Sequence, residues 1–174
     1  MKKLLTAVAI VMVAAATQAA AVGWTIAGAS AYANGSYDIF VIGQKGVTSA
    51  SQIAALVAAG TSVESYALYS GGSVTGTGMA SVPVTSSTAS ITYSGSGTDT
   101  YQAFAVLWDK DGKNASYTST SSISMDNNAT SKTFLFGNQS SNLSNNSFVV
   151  APEPTSGLLL LLGMAGLALK RKRA

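Results

Sequence analysis

Residues 101–108 read Tyr-Gln-Ala-Phe-Ala-Val-Leu-Trp, eight positions without a charge. In an extended chain, successive side chains point to opposite faces. Tyr101, Ala103, Ala105 and Leu107 therefore share one face, and Phe104, Val106 and Trp108 share the other. Both faces are apolar, so this strand must be covered on both sides, which places it at the centre of a layered structure. Residues 37–42 repeat the pattern, with Tyr37, Ile39 and Val41 on one side and Phe40 and Ile42 on the other. Two such strands commit the chain to a mainly β fold, expected to be a single antiparallel β-sandwich-like domain.

Shorter runs rich in β-branched and aromatic residues predict further strands at 22–27, 63–69, 89–93, 115–119, 132–136 and 147–150. Asn34-Gly35, Gly71-Gly72, Ser94-Gly95-Ser96-Gly97 and Asp111-Gly112 read as turns between them. Residues 70–100, the richest in Gly, Ser and Thr, are expected to hold edge structure, and residues 137–147 a long polar loop. One segment follows a different period. Ser49 with Gln52 fits a capping box, Gly60 fits a C-terminal stop, and Ile53, Leu56 and Val57 fall on one helical face. These predict one short α-helix over about 49–59, packed on a sheet and joining two strands.

Charge is concentrated at the ends. Lys2 and Lys3 open the chain, and Lys170, Arg171, Lys172 and Arg173 close it. Residues 22–150 carry four lysines against six carboxylates, a net charge of −2. Nucleic acid is thus excluded as a partner, because binding it requires clustered cations. There is no cysteine and no histidine, which removes disulfides, a thiol nucleophile and the commonest general base and metal ligand near neutral pH. Folding must rest on core burial, and all 14 aromatic residues lie between Trp24 and Phe148.

The ends read as addresses. Two lysines, an apolar run at 4–16 and small residues at 17–21 match a secretory signal over residues 1–21, with cleavage after Ala19 or Ala21, the later site fitting best. At the far end, Pro152-Glu153-Pro154 precedes an apolar segment at 155–169 and a basic tail at 170–174. The prolines favour an extended stretch that an enzyme can grip. Basic residues at both ends would stay cytoplasmic, leaving residues 22–150 outside the inner membrane. The apolar segment of 15 residues would make a helix of about 22 Å, short of the roughly 30 Å hydrocarbon core. It suits a temporary anchor better than a lasting one.

Pro152-Glu153-Pro154, the Leu-rich segment and the Lys170–Arg173 cluster together resemble a PEP-CTERM sorting signal. The resemblance is confined to residues 151–174, paired with the secretory signal. It implies recognition by an exosortase, a membrane-embedded protease or transpeptidase of certain Gram-negative bacteria. It also implies cleavage near the motif and delivery to the cell surface or an exopolysaccharide matrix. Signal peptidase and exosortase would be processing partners, and the inner membrane a transient one. The three motif residues would be recognition elements in a substrate.

No catalytic, cofactor or metal site is expected in the middle of the chain. Asp109 and Asp111 resemble the opening of a calcium loop, but Gly112 comes too early and no glutamate closes it, so a hairpin is the better reading. Serines are abundant without a histidine to activate them. Asn34, Asn114, Asn128, Asn138, Asn142 and Asn145 each begin an Asn-x-Ser/Thr triplet, read as shared loop polarity ahead of glycosylation. Trp24, Trp108, Tyr66 and Tyr69 could form a sugar-stacking platform, though core packing is the more economical expectation. The chain is therefore expected to be a non-catalytic surface or matrix protein, with a carbohydrate-binding module for exopolysaccharide as the alternative.

Overall fold

A computed structural model describes residues 18–84, 89–94, 97–126 and 128–151. Residues 1–17, the Pro152-Glu153-Pro154 motif, the apolar segment 155–169 and the basic tail 170–174 lie outside the described residues, as do Gly95 and Ser96 of one expected turn. The elements run β1 (Gln18–Ala27), β2 (Ser36–Val41), α1 (Ala50–Ala58), β3 (Tyr69–Ser73), β4 (Ala80–Val82), β5 (Ser90–Tyr93) and β6 (Asp99–Trp108). They continue with β7 (Asn114–Tyr117), β8 (Ser121–Met125), β9 (Ser131–Asn138), α2 (Ser140–Asn145) and β10 (Ser147–Val149).

Two sheets face each other. In the first, β1 is central, with β9 along one edge and β5 and β4 sharing the other. β5 pairs with Gln18–Ala21 and β4 with Trp24–Ile26. Gly23 sits between these two pairings, where a Cβ would meet the Val82 carbonyl at 2.6 Å. In the second sheet β6 is central, as its two apolar faces require. β2 and then β3 lie on one side, and β7 and β8 share the other. Thr118 covers the step between β7 and β8: its hydroxyl accepts the Ala105 N–H at 2.9 Å. The sandwich is not wholly antiparallel. β1 and β9 run parallel, possible because they are far apart in sequence and need no tight turn.

The alternation read from β2 and β6 sorts their side chains into two cores. Tyr37, Ile39, Val41, Ala103, Ala105 and Leu107 pack between the sheets against Trp24, Ile91 and Phe134. Phe40, Phe104 and Val106 point the other way and are covered by Ile53, Leu56 and Val57 of α1. Phe40 and Phe104 stack with centroids 5.3 Å apart. The helix therefore forms a third layer, and this is why the central strands can be apolar on both sides.

α1 begins and ends as its sequence requires. Ser49 Oγ accepts the Gln52 N–H at 3.1 Å, although Gln52 Oε1 returns to the Thr48 N–H, one residue before the cap. At the C-terminus, Gly60 has φ +70°, its N–H donates to Val57 and that of Thr61 donates to Leu56. This is the double closure of a Schellman motif.

Three further expectations need correction. The strand expected at 63–69 is a 3₁₀ turn at Glu64–Tyr66 followed by β3. Gly71-Gly72 is not a turn but the body of β3. Gly71 takes φ +75° at a bulge opposite β2, and a Cβ on Gly72 would lie 2.2 Å from the buried Tyr37 ring. The polar loop at 137–147 contains α2, held by the buried Leu143. β4 and β8 were not anticipated. β8 shows only two buried apolar positions, Ile123 and Met125, in a serine-rich frame. Because Tyr37 is enclosed, Gly72→Ala is expected to destabilise the fold by about 1–3 kcal/mol, measurable as a lower urea midpoint.

Candidate functional site

β2 carries an acid, Asp38, in a strand otherwise rich in buried side chains. It lies on the face shared with Phe40 and Trp108, the one turned towards α1. The C-terminal end of α1 reaches this part of the sheet through Val57, beside a cleft of about 390 Å³. The cleft is bounded by β2 and β6, by the loop from Gly60 to Glu64, and by Val150 and Ala151 at the end of the described chain. Ser36 and Trp108 are direct cross-strand partners on its floor. A cleft of this volume falls within the range that holds a small ligand.

Asp38 has a structural task. The bulge at Gly71 leaves a β3 N–H without a ladder partner, and Asp38 Oδ1 accepts it at 2.9 Å. Asp38 is 8% exposed, and its other carboxylate oxygen has no partner among the described residues. No enclosed side-chain oxygen or nitrogen there lacks a hydrogen bond, so this oxygen opens to the cleft. Burial pushes the Asp38 carboxyl above the usual range, the Gly71 bond offsets part of that, and nearby Glu64 adds to the rise. The charge is therefore disfavoured by folding. Stability should fall as pH rises through the raised value and should recover below the ordinary aspartate range, where both states are protonated. Asp38→Asn keeps an acceptor for Gly71 and removes the charge. It is expected to be at least as stable as the parent at pH 7, with the difference vanishing near pH 3 in urea titrations; a large loss of stability at pH 7 would count against this account.

The cleft lining includes hydroxyls from Ser36, Thr61 and Ser62, the half-buried Trp108 ring and two carboxylates, with no lysine or arginine. Such a surface offers acceptors, exchangeable donors and one aromatic edge, a chemistry suited to a neutral polyol and unsuited to an anion. Among the described residues, no three His, Cys, Asp or Glu side chains gather where they could hold a metal ion.

The structure scatters the four aromatic residues of the expected platform. Trp24 is fully buried between the sheets, donates its indole N–H to Tyr37 Oη at 3.0 Å and packs on Tyr69 with centroids 4.8 Å apart. Tyr66 packs partly buried beside the α1 core. Trp108 alone of the four lines the cleft. The 109–114 segment is the expected hairpin between β6 and β7, with Gly112 at φ +67°. Asp109 accepts the Lys113 N–H at 2.8 Å and the Asn114 side-chain amide at 2.6 Å, so its carboxylate is engaged by the turn itself. Calcium is accordingly expected to leave the melting temperature unchanged. Asn114 and Asn142 also spend their side-chain amides within the fold, in keeping with a structural reading of those triplets.

Of the residues singled out for processing, Ala19 and Ala21 lie inside β1. Pro152, Glu153 and Pro154, with Lys170, Arg171, Lys172 and Arg173, lie outside the described residues. Among the described residues no helix is long and apolar enough to cross a membrane. The cleft was not foreseen from the sequence; its one signal was an acid placed within an apolar strand. Comparison with protein-family models, with curated proteins and with solved structures returns no match.

Proposed function

We propose that this chain is an exported, non-catalytic protein of the cell surface or extracellular matrix, released from a temporary inner-membrane intermediate by an exosortase acting at Pro152-Glu153-Pro154. The observation that carries this reading is the paired address: a secretory signal at one end, and motif, short apolar segment and basic tail at the other. The arrangement of the domain supports it. The last described residues are tied to the domain, with Val150 N–H donating to Lys113 and Ala151 N–H to Ala58, and the last described strand, β10, ends at Val149. An enzyme acting on the motif need not dismantle any described strand. The absence of histidine and cysteine from the whole chain supports a non-catalytic role. Fractionation of the native host tests the reading: the protein should be recovered outside the inner membrane, and disruption of the exosortase should hold it in the inner membrane.

A second reading, a carbohydrate-binding module for exopolysaccharide, is favoured by one feature, the cleft with Trp108, Asp38 and surrounding hydroxyls and no cation. A glycan array with the mature protein tests it. Binding abolished by Trp108→Ala would support the cleft as the sugar site, and no binding to any glycan would sink the module reading while leaving the sorting proposal intact.

A further inference from the structure

The first strand starts earlier than the expected end of the secretory signal, and this bears on where the signal is cut. Gln18, Ala19, Ala20 and Ala21 pair in register with Tyr93, Thr92, Ile91 and Ser90. Among the described residues β5 has no other strand partner. Ala20 and its partner Ile91 are fully buried, and Tyr93, opposite Gln18, is buried. Tyr93 Oη lies 2.7 Å from Gln18 Oε1 and 2.8 Å from the Ala129 carbonyl, two acceptors that share its one proton. The Ala21 N–H donates to Thr130, on the side of β9.

A cut after Ala21 would remove every residue that pairs with β5, leaving its ladder groups without their β1 partners and taking Ala20 out of the core that holds Ile91 and Tyr93. A cut after Ala19 would remove half of that pairing together with Gln18. Unpaired buried backbone groups are costly, so either product would be a damaged sandwich. The sequence offers another site just upstream. Ala14-Ala15-Ala16 supplies the small residues that signal peptidase reads on the amino side of its cut. The apolar run that remains, residues 4–13, still falls within the usual length of a signal core.

We infer that signal peptidase cuts after Ala16, so that the mature chain begins Thr17-Gln18 and retains the whole of β1. This inference rests on the export reading above and sharpens it: the processing site lies two residues before the first paired residue of the sandwich. Ala19 makes the site testable without harming the fold, because its side chain is exposed.

The experiment is amino-terminal sequencing of the exported protein from the full chain and from two variants. The parent should begin at Thr17. A19K places a charge at a position that cleavage after either Ala19 or Ala21 must read, and it should be processed to the same Thr17 terminus in undiminished yield. A16K should accumulate as uncleaved precursor. A parent beginning at Ala20 or Val22, or loss of processing in A19K with normal processing in A16K, would overturn the assignment while leaving export intact. A protein that keeps Met1 and stays in the cytoplasm would overturn the export reading and the cleavage site together.

Discussion

Replacing Pro152, Glu153 and Pro154 together by alanine is expected to hold most of the protein in the inner membrane as an unprocessed form. Alanine restores the backbone donors that proline lacks and removes the bias towards extended conformation in the preceding residues. The alanines would also favour helix, extending the apolar segment towards the domain and hiding the stretch that the enzyme must grip. Anchoring would then depend on a segment of 15 residues, shorter than the roughly 20 of an ordinary span. Such a segment can be held by local thinning of the bilayer and by basic side chains reaching outward. Immunoblotting of inner-membrane and surface fractions reads the result. Undiminished delivery of the variant to the surface would remove the motif from the mechanism. The last described strand ends at Val149, so the substitution is expected to leave the melting transition unchanged, and that result separates a sorting defect from misfolding.

Trp24→Ala is expected to have the largest effect on folding, about 3–5 kcal/mol in urea or guanidinium titrations. Trp24 lies on the central strand of its sheet, is fully buried, and packs against Tyr69. Truncation leaves a cavity between the sheets and strips Tyr37 Oη of the indole donor at 3.0 Å. A loss on that scale is a large share of the stability of an ordinary domain, and this chain has no disulfide to fall back on. Trp24→Phe should recover part of the loss, since it restores ring area but not the hydrogen bond. If Trp24→Ala melted with the parent, the placement of this ring at the centre of the core would be wrong.

These two expectations differ in how much of them the sequence could supply. The alternation of Tyr37, Ile39 and Val41 against Phe40 and Ile42, and the doubly apolar run at 101–108, already required a layered β fold, and both faces are filled as that period demands. The helix was legible because its cap, its apolar face and its glycine stop agreed with one another. Other features rest on contacts between distant residues. β8 is short and serine-rich and β4 has only three residues; both are strands through their pairing with β6 and β1. Gly71-Gly72 looks like a turn in isolation; it is a strand because Asp38 satisfies the bulge and the Tyr37 ring occupies the space that a side chain would need. The parallel pairing of β1 with β9 leaves no local trace. The cleft is assembled from β2, β6, the end of α1 and the loop after it, segments distant in sequence that no local pattern brings together.

The same contrast applies to the start of the domain. Ala19-Ala20-Ala21 reads as the exit of a secretory signal, yet three small residues also suit a strand whose inner face meets Ile91 and Tyr93. Composition alone does not separate these roles. Pairing with β5 favours the strand role, and the proposed cut after Ala16 rests on it.

Mass spectrometry of the protein released from the cell surface tests the sorting proposal most directly. The account predicts a chain that has lost its basic tail and apolar segment, with a new C-terminus near Pro152-Glu153-Pro154 and a mildly acidic folded domain before it. Recovery from the surface of a chain intact through Ala174 would contradict it.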